Sequence, residues 1–153
     1  MRLAILTLTL AAIAGCATKA PVAPTVNFVS SAVGDQAKVA GDATAELASL
    51  YAPAKTTFAW PLTPQPSDAF GTALLANLRL KGFAVHEAVQ GVDAAASAPA
   101  STAPEVPLRY TFDQLGDGGV YRVVLAAGQQ TIVRAYALRD GAFAPIGAWS
   151  RKE

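Results

Sequence analysis

The last third of the chain alternates apolar and polar residues in successive short stretches, and this pattern restricts the fold more than any other feature. Residues 108–112 and 121–125 alternate in this way on either side of a glycine-containing turn, and 131–138 and 143–149 repeat the arrangement. Pro145 in the last stretch indicates an edge strand or a bulge. A period of two interrupted by glycine turns is typical of antiparallel strands. The sequence therefore predicts a C-terminal meander of four strands.

Two amphipathic helices are predicted before the meander. Apolar residues recur at three-and-four spacing from 35 to 51, and Pro53 ends that stretch. A second helix is predicted to begin at an N-cap, Ser67, and to end at Gly82, which can adopt the left-handed conformation of a helix C-terminus.

Each predicted helix is followed by a short strand, at 55–60 and at 83–89. The fold class is therefore α+β, with two helices packed on a mostly antiparallel sheet of about six strands. Residues 91–107 are low in complexity and almost without large side chains, which predicts a disordered loop. We expect this loop to be inserted in a single domain covering 35–153.

The N-terminus has the pattern of a lipoprotein signal. A cationic start at Arg2 and an apolar run from Leu3 to Ala14 precede Gly15 and Cys16. The run is too short to span a bilayer, which needs about 20 residues. We expect residues 1–15 to be a signal peptide cleaved between Gly15 and Cys16, and the Cys16 thiol to carry the lipid. The alternative is an ordinary secretory signal that happens to end in a cysteine.

Lipidation at Cys16 would place the protein at a membrane surface. Acyl chains such as palmitate bind a bilayer with about 0.8 kcal/mol per buried CH₂, so several chains form a stable anchor. Ala17 follows the cysteine and no aspartate occupies that position. For a Gram-negative cell this predicts lipid anchoring at the periplasmic face of the outer membrane.

Residues 16–34 are expected to form a flexible, lipidated tether because they contain prolines and few charges. Part of this segment is more apolar than a solvated linker requires, at Val22, Val26, Phe28 and Val29. Either these residues pack on their own domain, or they form an extended strand that binds a neighbouring subunit.

Composition argues against several classes of function. The chain has 12 Lys and Arg against 11 Asp and Glu, and loss of Arg2 makes the numbers equal, so it lacks the basic field of a nucleic-acid-binding protein. Cys16 is the single cysteine, which leaves none for a disulfide or a thiolate metal site. His86 and Glu87 are strand neighbours that point to opposite faces. The sequence therefore predicts no catalytic residues, no metal site, no cofactor and no enzymatic activity.

Arginines and tyrosines on the predicted strands are the remaining candidates for function. Such arginines usually cover apolar neighbours with their aliphatic stems. Alternatively they form a contact patch with tyrosines, because both residue types are over-represented at protein interfaces. The residues of this contact patch would be Arg109, Tyr110, Arg122, Arg134 and Tyr136.

Several segments, taken in order, resemble the conjugal transfer protein TrbH family. They are the lipobox, Leu-Tyr-Ala-Pro-Ala-Lys-Thr at 50–56, Asp-Ala-Phe-Gly-Thr-Ala-Leu at 68–74, Gly-Phe-Ala-Val-His-Glu at 82–87, Pro-Leu-Arg-Tyr at 107–110, Gly-Val-Tyr-Arg-Val at 119–123 and Gly-Ala-Trp-Ser-Arg-Lys-Glu at 147–153.

The resemblance implies a small outer-membrane lipoprotein of a conjugative type IV secretion apparatus. It implies a structural or assembly role in mating-pair formation beside TrbG-like and TrbI-like core subunits, and it transfers a function only to Cys16. Two alternatives remain open from the residues. One is an accessory lipoprotein of another envelope transport machine, and the other is a periplasmic domain that binds a lipid or another ligand between its helices and its sheet.

Overall fold

The computed structural model describes residues 25–61, 63–88 and 105–152. The predicted signal peptide, its cleavage site at Gly15 and Cys16, Val22 and most of the predicted loop lie outside these residues. Within the described ranges, no helix has both the length and the apolar character needed to cross a membrane.

The described residues form two α-helices and seven β-strands. In chain order they are β1 (Val26–Asn27), α1 (Gln36–Leu50), β2 (Thr57–Trp60), α2 (Ala69–Leu80), β3 (Ala84–Glu87), β4 (Glu105–Leu115), β5 (Val120–Ala127), β6 (Gln130–Arg139) and β7 (Ala142–Lys152). A single 3₁₀ turn, Pro53–Lys55, lies between α1 and β2.

All seven strands belong to one sheet with the order β3-β2-β4-β5-β6-β7. Strands β4 to β7 pair antiparallel, which confirms the predicted meander. Strands β2 and β3 are parallel, and β2 pairs parallel with the start of β4. The two residues of β1 pair parallel with Thr111 and Phe112 of the same strand, beyond the end of β2. The α+β class is confirmed, with seven strands in place of about six.

Both helices cover one face of the sheet. Every strand of the meander buries side chains on this helix side, from Leu108 on β4 to Phe143 on β7. Helix α1 contributes Val39, Ala43 and Leu47 to the same core. The largest fully buried side chains are Trp60, Tyr110, Tyr136, Phe58, Phe70 and Phe112, and they fill the space between helices and sheet.

The helix ends agree with the sequence except at one cap. Asp35 caps α1 through the backbone N–H of Lys38, at 3.3 Å. The predicted cap of α2, Ser67, is wrong by one residue, because the side chain of Asp68 accepts the N–H of Gly71. At the other end Gly82 has φ of 88°, and the N–H of Phe83 donates to the carbonyl of Leu78, which closes the helix as a Schellman motif.

Several predicted boundaries are corrected by the structure. The strands expected at 55–60 and 83–89 are shorter, at 57–60 and 84–87. Glu105 to Pro107, expected in the loop, are the first residues of β4 and pair with β2. Val26 and Asn27, expected in the tether, form β1 in the sheet.

Strand β7 is an edge strand, as Pro145 indicated. A register shift against β6 falls between Val133 and Ala135, and Gly147 on the bulged segment has φ of 72°. A bulge and a proline on a long edge strand hinder pairing with other chains.

Candidate functional site

A polar cluster of Asn27, Gln36, Asp68 and Tyr110 connects β1, both helices and β4. The Nδ2 of Asn27 donates to Gln36 Oε1 and to Asp68 Oδ1, each at 2.9 Å. The Tyr110 hydroxyl donates to Asp68 Oδ2, and burial first and this bond second raise the Tyr110 pKa well above its usual value. Gln36 is 2% exposed, and its amide donates to the carbonyl of Ser30 at 2.7 Å. The polar cluster therefore fixes β1 to the rest of the fold.

A cleft of about 230 Å³ lies beside the polar cluster. Its lining includes Thr25, Gln65, Ser67, Asp68 and Tyr110. Both carboxylate oxygens of Asp68 already accept hydrogen bonds from protein donors. The carboxylate is thus used to hold the fold, which leaves it poorly suited to bind a cation or to act as a base.

A second set of polar contacts, the α1 clamp, joins the first helix to the C-terminal strands. Arg134 Nη1 donates to both carboxylate oxygens of Asp42, at 2.9 and 2.8 Å, and the Tyr136 hydroxyl donates to Asp42 Oδ2 at 2.5 Å. The Arg134 guanidinium also lies 5.8 Å from the ring centroid of Trp149. Burial and the bond to Asp42 raise the pKa of Tyr136. Arg151 extends the clamp by an ion pair with Glu46.

The structure divides the predicted contact patch between the two faces of the sheet. Tyr110 and Tyr136 are each 2% exposed and belong to the core, so neither can contact a partner. Arg134 lies on the helix side in the α1 clamp. Only Arg109 and Arg122 lie on the opposite face. The five residues are therefore not one surface, because Arg109 and Arg122 point away from the core-facing residues beside them on β4 and β5. Arg134 and Tyr136 are two residues apart on β6 and share the helix side.

The face of the sheet opposite the helices is the open face. No described helix covers it. Arg122 pairs there with Asp113 on the adjacent strand, and this bond raises the Arg122 pKa. The middle of the open face consists of small aliphatic side chains that are half-buried by their neighbours, and Leu115 and Ile146 are 41% and 47% exposed.

The apolar residues of the predicted tether have three different environments. Val26 pairs with β4 and is half-buried. Val29 is 7% exposed and belongs to the core, so it cannot bind a neighbouring subunit. Phe28 is 68% exposed, although its N–H donates to the carbonyl of Phe112 at 2.8 Å. Of the described tether residues, Phe28 therefore remains the candidate for partner binding.

His86 pairs with a residue of another strand and not with its sequence neighbour Glu87. Its Nδ1 lies 2.5 Å from Glu105 Oε1, across β2, while Glu87 pairs with Arg79 of α2 on the other side of the sheet. In the part of the chain that the structure describes, no three His, Cys, Asp or Glu side chains come close enough together to hold a metal ion.

Sequence reasoning missed the polar cluster and Asp42. Asn27 and Asp68 are 41 residues apart and Asp42 and Tyr136 are 94 apart, so no local pattern connects them. Along the sequence, a carboxylate at residue 68 indicates no more than a favourable charge at a helix start, and Gln36 gives no signal.

Comparison with known families identifies the chain. A family model described as conjugal transfer protein TrbH matches residues 22–153, which include every described element. The chain belongs to the TrbH family. Searches of curated proteins and of solved structures give no match.

Membership makes this TrbH protein a component of conjugal transfer, and the family is not an enzyme family. The match begins at Val22, so the predicted lipobox lies before it. The resemblance drawn from the sequence is thereby confirmed.

Proposed function

We propose that this TrbH protein is an outer-membrane lipoprotein, anchored through Cys16 on the periplasmic face, and that it is a structural component of the mating-pair formation apparatus. The family match over 22–153 carries the proposal. The lipobox before the matched region supplies the anchor, and the core subunits of the apparatus, TrbG-like and TrbI-like proteins, are the proposed partners.

The anchor is tested by the chemistry of the N-terminus. We expect mass spectrometry of the purified protein to find a chain beginning at Cys16 with acyl groups attached, and density-gradient fractions to contain it with the outer membrane. Cys16→Ser should abolish acylation and release the protein from that fraction. An unmodified N-terminus in the unaltered protein would contradict the lipoprotein assignment.

The partner-binding role of the tether needs a point substitution. Removing residues 22–29 would delete β1 and take Val29 from the core, so loss of binding would follow from unfolding alone. Phe28→Ser removes an exposed ring and leaves the core side chains in place. We expect it to reduce co-purification of TrbG-like and TrbI-like subunits and to lower the conjugation frequency.

Leu80→Ser is the matched control, because Leu80 is an exposed apolar residue, at 84%, on the far end of α2. It should leave both co-purification and conjugation unchanged. Equal effects of the two substitutions would indicate a general loss of surface apolarity, and no effect of Phe28→Ser would remove the tether from the proposal.

Two other functions remain as alternatives to be separated by the same purification. Recovery with lipid-transport components would favour an accessory role in another envelope machine. Recovery of the protein alone with bound lipid would favour a ligand-binding domain. The packing argues against the ligand-binding domain, since large aromatic side chains occupy the space between the helices and the sheet where such a ligand was expected.

A further inference from the structure

We propose that the open face of β4 to β7 is a docking surface for another protein, one that presents a flat apolar β-sheet face with acidic side chains at its margins. The inference rests on the proposed function in one respect, because it takes the protein to be a subunit of a larger assembly. It adds the surface and the chemical character of the partner.

Strand register arranges the open face as a regular grid. Across the four strands, Thr111, Val124, Val133 and Ser150 form one row, and the next row contains Asp113, Arg122, Ala135 and Ile146. The row after that is entirely apolar, with Leu115, Val120, Ala137 and Ala144. The centre of the face is therefore aliphatic apart from the Asp113–Arg122 ion pair in the middle row, and its unpaired basic residues lie toward its ends.

The side chains at the centre are short, which determines what can contact them. Val124, Val133, Ala135 and Ala137 project little from the sheet, and Ile146 is the largest exposed apolar group among them. A second sheet can approach such a surface to about 10 Å and interdigitate with it. Insertion into a lipid surface favours protruding aromatic and long aliphatic side chains instead, so the shape favours a protein partner.

Charge on the open face argues against a second copy of the same chain. Arg109 and Lys152 lie at one end of the grid and Arg139 at the other, while Asp113 is paired with Arg122. Asp117 and Asp140 lie in the turns that border the face. Pairing of two copies through the same ends would set Arg109 and Lys152 against their own counterparts, and like charges at an interface cost several kcal/mol. Pairing through opposite ends avoids that repulsion but is disfavoured by the small area of the face. A partner with acidic side chains opposite Arg109 and Lys152 has the complementary pattern.

The size of the open face indicates that it is one of several contacts that hold this subunit in its assembly. Four strands about 4.8 Å apart and seven residues of about 3.3 Å rise give roughly 440 Å². A stable pairwise interface buries about 800 Å² on each partner. The face alone is too small for a stable dimer, and it is suited to a subunit that is also held by an anchor or by other contacts.

The test is site-specific photo-crosslinking in cells that contain the whole transfer apparatus. A benzoylphenylalanine replaces Ile146 on the open face in one strain and Leu80 on α2 in the control strain. We expect an adduct with another subunit from position 146 and none from position 80. The crosslinked residue of that subunit should lie on a strand, with Asp or Glu nearby.

Two sets of variants make the result decisive. Val133→Arg places a charge at the centre of the face and should reduce the adduct at least about tenfold, because a buried unpaired charge is strongly unfavourable. Replacing both Arg109 and Lys152 by Glu leaves the centre intact and should also reduce the adduct, because acidic side chains then face the acidic side chains of the partner. Circular dichroism checks that both variants remain folded.

Several results would overturn the docking proposal. These are an adduct of two copies of this chain, an adduct with lipid, an adduct that persists in both variants, or none at position 146. Acylation at Cys16 and co-purification with core subunits are measured in the same strains. Failure of the open face with those two intact would leave the proposed function standing, whereas loss of all three would reject both.

Discussion

Two aspartates in this protein begin a helix each, and their surroundings differ. Asp35 is exposed and accepts only a long bond from Lys38. Asp68 caps α2 at 2.8 Å and also accepts hydrogen bonds from Asn27 and Tyr110. The same residue type therefore has a local role at one helix and a role in tertiary structure at the other.

We predict that Asp68→Ala lowers the free energy of unfolding by about 2–4 kcal/mol, because it removes the cap and leaves buried donors without acceptors. Asp35→Ala should cost about 0.5–1 kcal/mol, as an exposed cap does. Urea unfolding of both variants checks the difference. Equal costs would show that the polar cluster adds nothing beyond the cap.

A second prediction at this scale concerns alkaline pH. The pKa values of Tyr110 and Tyr136 are raised above 10.0 in the folded protein, mainly by burial. Above pH 10 the unfolded chain releases these protons and the folded chain retains them, so stability falls as the pH rises. Each tyrosine should contribute about 1.4 kcal/mol per pH unit in that range.

The measurement is the urea concentration at the midpoint of unfolding, taken between pH 9 and pH 11.5. It is compared between the unaltered protein and the double variant that carries both Tyr110→Phe and Tyr136→Phe. The double variant is expected to be less stable at pH 8 but to lose less stability on going to pH 11. A parallel decline in the two proteins would contradict the assignment of the alkaline loss to these hydroxyls.

At the scale of elements, the segment between β1 and α1 is held by close packing. Gly34 has φ of 60°, and a methyl group there would lie 2.5 Å from Cε2 of Phe143. Gly116, in the turn between β4 and β5, has φ of 61° and nothing within 4 Å. The two glycines share a backbone conformation and differ in what surrounds them.

We predict that Gly116→Ala costs about 1–2 kcal/mol from backbone strain alone. Gly34→Ala should cost about 1–3 kcal/mol more, because the methyl group collides with the Phe143 ring. Thermal unfolding of the two variants measures the difference directly. If the costs are the same, the loop before α1 is free to move away from β7.

The elements that the sequence predicted well are those with a strong local signal. The two helices and the meander show their periodicity within a few residues, and Gly82 marks a helix end by its own conformational freedom. Strand β1 could not be recognised, because two residues are too short to show a period. Its place depends on Asn27 and on the free edge of β4, neither of which is visible along the sequence.

Across the whole molecule, the α1 clamp connects parts of the chain that are far apart in sequence. Asp42 and Arg134 are 92 residues apart, and Glu46 and Arg151 are 105 apart. The side chain of Arg134 is 17% exposed and that of Arg151 is 49% exposed. The first pair is shielded from water by Trp149 and Tyr136, and the second is not.

We predict from this difference that a double-mutant cycle on Asp42 and Arg134 gives a coupling free energy of about 1–3 kcal/mol. The cycle on Glu46 and Arg151 should give about 0–1 kcal/mol, as for exposed ion pairs. Alanine substitutions and urea unfolding supply both values. A coupling below 0.5 kcal/mol for the first pair would mean that packing alone holds α1 on the sheet.

The candidate site was less predictable than the fold for a related reason. The sequence indicates arginines and tyrosines on the strands, and a period of two puts Arg134 on the same face as Ile132 and Tyr136. The sequence does not indicate which side of the sheet the helices cover, because only the tertiary packing decides that. The open face became recognisable once that side was known.

The pairing of β1 also has a mechanical consequence. If the membrane holds the chain at Cys16, any pull on the domain is transmitted through Thr25 into a strand joined to β4 over two residues only. That short ladder, with the contacts of Val29, would separate before the longer ladders of the meander. Release of residues 25–34 would then add roughly 30 Å of contour length, about as much as the segment from 16 to 25 supplies when extended. A subunit anchored in this way would lengthen under load while its core remained folded.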